Sequence, residues 1–152
     1  MTSKAAVDEF LSGKHLALAG ASRNGKKFGN AIVKELGKKD YSFSLVHPEA
    51  EEIEGHRCVS SIAGLPSDIG GLVLVVPPEQ TTKLVKEAAE AGIRNIWMQQ
   101  GSESAEAIEF CAENGINAVH GECILMFADP GGIHKFHHWL WGLFGKLPKE
   151  GS

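Results

Sequence analysis

Cysteine, tyrosine and long apolar runs are all scarce in this chain of 152 residues. Its three cysteines, Cys58, Cys111 and Cys123, are an odd number, widely spaced and without a CxxC pair. That pattern excludes a disulfide framework or a cysteine zinc site and fits reduced thiols in a cytoplasmic protein. The apolar run at residues 72–76 stops at Pro77-Pro78, far short of the roughly 20 residues that a membrane-spanning helix requires. Near the N-terminus Asp8 and Glu9 stand where a secretory signal would carry a basic region and an apolar core, so no such signal is expected. A large excess of either charge is lacking as well. Fifteen Lys and Arg against nineteen Asp and Glu leave a net charge of −4, which disfavours nucleic acid as a partner because phosphate backbones need a broad positive face. Glycine, by contrast, is abundant at 18 residues, and glycine serves tight turns and close backbone approaches.

The apolar pattern alternates between two periods. Ser3 is placed to cap a short helix with Val7, Phe10 and Leu11 on one stripe, closed by Gly13. Residues 15–20 form a mostly apolar run ending on Gly20, the mark of a strand buried on both faces of a parallel sheet. Residues 27–38 follow with helical spacing through Phe28, Ala31, Ile32 and Leu36, and residues 41–46 form a second strand ended by His47-Pro48. Residues 49–70 are polar and broken, with one short strand at 57–59 and a helical turn at 61–64. The spacing then predicts strands at 71–76, 93–98 and 116–120, and helices at 79–91 and 104–114. Strands alternating with helices imply βαβ crossovers, hence a doubly wound α/β domain with a mainly parallel sheet and helices on both faces. With no internal repeat or linker, residues 1–152 read as a single unit.

In such sheets ligands bind beyond the carboxyl ends of the strands, at the topological switch point. After the first strand the chain runs Gly20-Ala21-Ser22-Arg23-Asn24-Gly25-Lys26-Lys27-Phe28-Gly29-Asn30 and enters a helix. Two glycines allow close approach to an anion, Ser22 offers a hydroxyl, and the helix start attracts negative charge. Arg23, Lys26 and Lys27 concentrate cations there in an otherwise acidic protein. Ser22 stands where the dinucleotide fingerprint requires its second glycine, and Lys27 stands where a P-loop carries Ser or Thr. The second strand ends on Val46-His47-Pro48 rather than on the acid that an NAD site uses for ribose. The expected ligand is therefore phosphorylated, with NAD disfavoured. Val76-Pro77-Pro78 would present a stiff apolar edge to an adenine or a thin aliphatic chain.

These residues, together with Glu52-Ile53-Glu54-Gly55, Trp97-Met98-Gln99-Gln100-Gly101 and Val119-His120-Gly121-Glu122-Cys123-Ile124, resemble the stand-alone CoA-binding proteins. That family is similar to the nucleotide-binding domain of succinyl-CoA synthetase α chains, and the match covers residues 10–127. The resemblance implies a Rossmann-like fold that holds coenzyme A. Position by position it implies that Gly20, Ala21, Ser22 and Arg23 with Lys27, Phe28, Gly29 and Asn30 hold the phosphates. His47 and Pro48 would flank the adenosine, and Val76, Pro77 and Pro78 would line the nucleotide and pantetheine path. His47 replaces the asparagine expected before this proline.

The expected function is non-catalytic binding of coenzyme A or an acyl-CoA. The chain offers no clear pairing of nucleophile and base, and the further domains that ligase chemistry would need in the resembling family are not expected in it. The alternatives are an NADP-type oxidoreductase and a CoA-sensing regulatory or scaffold protein. Cys123, beside His120, is a candidate reactive thiol, since a neighbouring imidazolium lowers a thiol pKa. His134, His137 and His138 share one helical face but have no carboxylate or cysteine to complete a metal shell. The segment 131–147 reads as a C-terminal apolar helix, with Ile133, Phe136, Leu140, Leu143 and Leu147 on one stripe. So broad a surface calls for cover by the parent domain or by a second copy in a homodimer.

Overall fold

The computed structural model describes residues 4–126. Seven strands form one sheet in the order β3-β4-β2-β1-β5-β6-β7. Along the chain, α1 (Lys4–Ser12) leads to β1 (His15–Ala19), α2 (Phe28–Gly37) and β2 (Ser42–Val46). A hairpin of β3 (Glu52–Ile53) and β4 (His56–Val59) follows, then β5 (Gly71–Leu74), α3 (Pro78–Glu90), β6 (Asn95–Gln99), α4 (Ala105–Glu113) and β7 (Asn117–Glu122). Only β3 runs antiparallel, against β4. The doubly wound architecture expected from the periodicity is present. Ser3 and the segment 131–147, with its three histidines and its dimer expectation, lie outside the described residues.

Alternation along the central strands builds two cores. Leu16 and Leu18 of β1, Phe43 and Leu45 of β2, Val73 of β5 and Trp97 of β6 face α1 and α2, where Phe10, Ile32, Val33 and Leu36 are buried. Ala17, Ala19, Leu72, Leu74, Ile96 and Met98 face the other way, onto Val85 and Ala88 of α3 and Ala107 and Cys111 of α4. β1, β5 and β6 are thus apolar on both faces, which is why these segments read as nearly continuous apolar runs. Phe10 meets Trp97 edge to face at 5.4 Å between ring centroids.

Some local boundaries differ from expectation. The strand expected over 71–76 ends at Leu74, although the Val75 N–H still donates to the Ala19 carbonyl. Pro78 is the first residue of α3, because a residue without an N–H loses nothing in the first helical turn. The sequence pattern marks only the second strand of the hairpin. Its two central residues, Glu54 and Gly55, have φ of 54° and 79°, as a type I′ turn requires, and a glutamate before the glycine does not announce that turn as asparagine would.

Burial on the α4 face has a consequence for pH. Cys111 is 1% exposed, and burial pushes its thiol up from 9.0 to about 11. The folded state therefore keeps a proton that the unfolded chain releases above pH 9, so this contribution to stability is intact below pH 9 and is lost as pH rises towards 11. Urea denaturation at intervals from pH 8 to 11 should show stability falling by about 2 kcal/mol more in the parent than in Cys111→Ala. Parallel slopes in the two proteins would count against this account.

Candidate functional site

In the observed order, β1 is flanked by β2 on one side and β5 on the other. Connections from β1 through β4 run towards one edge and those from β5 through β7 towards the other, so the switch point is the crevice beyond Ala19 and Leu74. The loop after β1 and the Val75–Pro78 exit from β5 meet there.

Backbone contact shapes the loop. Gly20 has φ +125°, and a Cβ on it would lie 2.2 Å from the Val75 carbonyl oxygen. A Cβ on Gly29 would lie 2.7 Å from the Gly20 carbonyl oxygen. Gly20 therefore allows the turn against β5, and Gly29 allows α2 to start in contact with that turn. These are two of the three glycine roles in dinucleotide folds, here spread over a longer loop. Gly29 is buried, so its part in the site is to bring α2 close.

Asn30 is 0% exposed and works from beneath the loop. Its Oδ1 accepts from the Ser22 N–H at 2.8 Å, and its Nδ2 donates to the Ser22 carbonyl at 2.9 Å and to Glu54 Oε2 at 3.0 Å. Ser22 Oγ donates to Asn24 Oδ1 at 2.7 Å, which also accepts from the Lys26 N–H at 2.9 Å. Among the described residues, the N–H groups of Arg23 and Asn24 make no hydrogen bond, which leaves donors on the exposed part of the loop. Arg23 is exposed and pairs with Glu49 at 3.1 Å. An exposed pair of this kind is worth little and opens readily for a better anion. Lys27 is exposed at the N-cap of α2, Phe28 is half-buried, and Ala21 is buried in the core.

The other predicted residues line the same end of the sheet. His47 Nδ1 accepts from the N–H groups of Glu49 at 3.0 Å and Ala50 at 2.9 Å. This is the bond an asparagine oxygen makes to the backbone in an Asx turn, so the ring serves where the resembling family would use asparagine. Pro48 is exposed beside it. Beyond β5, the Val76 N–H donates to Ser102 Oγ at 3.0 Å, and Thr81 Oγ1 donates to the Ser102 carbonyl at 2.6 Å. Ser102 thereby ties the start of α3 to the end of β6, leaving Pro77 and Pro78 exposed at the crevice. Ser102 and Glu49 belong to no local motif, and Glu54 stands in a quoted motif that gives it no role; the partner each one holds lies 24 or more residues away, beyond the reach of local patterns.

Cys123 is 6% exposed. Burial pushes its thiol up, only partly countered by hydrogen bonds involving Gln99, Leu125 and Met126. That is the opposite of the shift a reactive thiol needs, so the environment gives the reactive-thiol expectation no support. One triad-like chain does occur. Ser44 Oγ lies 3.0 Å from His15 Nε2, and His15 Nδ1 lies 3.1 Å from Asp68 Oδ1. Its exposure is inverted for catalysis, with the serine buried and Asp68 in solvent, whereas a nucleophile must meet substrate and its orienting acid is normally buried. A hollow of about 610 Å³ between residues 61–69 and the end of α3 lies at the amino ends of the strands and holds none of the predicted residues. Among the described residues, no helix is long and apolar enough to cross a membrane.

Comparison with known proteins accords with this geometry. A family model described as a CoA binding domain matches residues 14–129. The chain is 24% identical over 159 residues to the ADP-forming acetate-CoA ligase II subunit alpha of Pyrococcus furiosus, covering 96% of this chain and 33% of that protein. It is 30% identical over 144 residues to an ADP-forming acetate-CoA ligase of Methanocaldococcus jannaschii, covering 91% of this chain and 20% of that protein. The chain thus spans a third or less of these curated relatives. Among solved structures, a conserved hypothetical protein from Pyrococcus furiosus superposes with a TM-score of 0.71 at 41% identity, covering 74% of this chain and 97% of that one.

Proposed function

We propose that this chain, which belongs to the CoA-binding domain family, holds coenzyme A or an acyl-CoA in the crevice between β1 and β5 and does no chemistry on it. The observation that carries this reading is the loop of residues 20–27. It is fastened from below by Asn30, pressed through Gly20 against the Val75 exit from β5, and still presents the N–H groups of Arg23 and Asn24 on its exposed side. Preorganised donors beside a helix start suit a pyrophosphate, because little ordering remains to be done when the anion arrives. Arg23 exchanges Glu49 for phosphate, a stronger charge-assisted partner. The exposed faces of Pro48, Pro77 and Pro78 border the path for the adenosine and the pantetheine arm.

Ligase activity belongs to the longer relatives, and the residues described here serve binding. Calorimetric titration with CoA, dephospho-CoA, NAD and NADP should give heat with CoA and an affinity that weakens as salt is raised. The Ser22→Ala, Arg23→Ala double variant should bind at least tenfold more weakly, since a hydrogen bond to a charged group contributes roughly 1.5–3 kcal/mol. Absence of heat with CoA would refute the assignment, and stronger binding of NADP would favour the oxidoreductase reading.

A further inference from the structure

Glu54 sits at the tip of the β3–β4 hairpin and yet reaches the loop that follows β1. Its backbone φ of 54° is unusual for a glutamate, a conformation that costs roughly 1 kcal/mol or more and that asparagine or glycine adopts more readily. The side chain is 19% exposed. Its Oε2 accepts from Asn30 Nδ2 at 3.0 Å, lies 3.7 Å from Lys34 Nζ, and would be 3.4 Å from a Cβ on Gly25. One carboxylate oxygen therefore touches the wall of the loop, the buried amide beneath it and a cation on α2.

The Asn30 amide has two possible orientations, and only one of them holds the loop. The Ser22 N–H needs an acceptor and the Ser22 carbonyl needs a donor, so Oδ1 and Nδ2 must each face the correct group. An ionised carboxylate only accepts hydrogen bonds. With Glu54 on the far side, the flipped amide would set its oxygen against the carboxylate and its NH₂ against the Ser22 N–H. Ser22 sets the same orientation from its side, and the bond to Glu54 favours it from the other.

We infer that Glu54 is a positioning residue for the phosphate-holding loop, acting through Asn30 from a hairpin at the sheet edge. The inference rests on the proposed function and extends it, since it assigns part of the loop's geometry to a residue that the proposed ligand contacts do not include. A position selected only for turn stability would carry asparagine before Gly55. The glutamate accepts turn strain and supplies reach.

The test separates turn stability from loop order. Glu54→Asn suits the turn and is too short to reach Asn30, whereas Glu54→Gln keeps the length and an acceptor oxygen. Amide hydrogen exchange in the unliganded proteins should show the Ser22 N–H exchanging about tenfold faster in Glu54→Asn than in the parent. Leu18 should be unaffected, the melting temperature should be equal or higher, and Glu54→Gln should recover most of the protection. Coenzyme A affinity should fall about tenfold in Glu54→Asn and recover in Glu54→Gln. Unchanged Ser22 exchange in Glu54→Asn would overturn the role of Glu54, whatever the ligand proves to be. If the parent binds no CoA, the proposed function fails, and the exchange rates alone still decide whether Glu54 orders the loop.

Discussion

Gly20→Ala should be among the most damaging single-methyl changes in the described part of this protein. The added carbon would stand 2.2 Å from the Val75 carbonyl oxygen and 2.8 Å from its carbon, on a backbone with φ +125°. Both neighbours are backbone, so no side chain can rotate away, and relief requires β1 and β5 to separate at the centre of the sheet. Strain at such a φ and overpacking each cost about 1–3 kcal/mol. A loss of roughly 3–5 kcal/mol is expected in urea denaturation, a large share of the total stability of a small domain. What remains folded should have lost coenzyme A binding, because the loop can no longer leave the sheet at the switch point. A variant with parental stability and affinity would show that the close approach of Gly20 to Val75 is not a feature of the molecule in solution.

Asn30→Ala should come second. It removes three short hydrogen bonds beneath the loop and leaves the Ser22 N–H, the Ser22 carbonyl and Glu54 without that partner. Each buried group left unsatisfied costs about 1–3 kcal/mol. Water can reach part of the opened site, so a net loss of about 2–4 kcal/mol is expected from denaturation, with ligand affinity reduced by tenfold or more. Asn30→Asp should be no better despite its similar shape. It keeps an acceptor for the Ser22 N–H, forfeits both donated bonds, and sets a second carboxyl about 3 Å from Glu54 in a buried site. Its destabilisation should grow from pH 4 to pH 7 as the two carboxyls are driven to ionise together. If Asn30→Asp matched the parent in stability and affinity at pH 7, the loop would be held by something other than this amide.

Both positions bear on how far the site was legible in the sequence. The glycines and the apolar run before them marked the loop, because a strand ending on glycine before a helix is a local pattern. The resemblance places Asn30 among the phosphate holders, whereas the structure puts it under the loop, fully buried, with its amide bonded to Ser22 and Glu54. His47 likewise has its Nδ1 bonded to two backbone N–H groups of its own turn. In both cases a polar residue near an anion site could either touch the anion or hold the chain that does, and composition and spacing are the same for the two roles.

By itself, the sequence of this protein determined the βαβ alternation, the strand cores and the place where β1 gives way to a glycine loop. Those features follow from periodicity and backbone preference, which act within a few residues. The tertiary structure decided what only folding brings together: the contact of Gly20 with Val75, the bond from Ser102 to Val76, the pairing of Arg23 with Glu49, and the reach of Glu54 to Asn30. These partners are separated by 24 to 55 residues in the chain. Their meeting depends on strand order and on a type I′ turn whose glutamate gives no local sign of it, so no nearby pattern could have announced them.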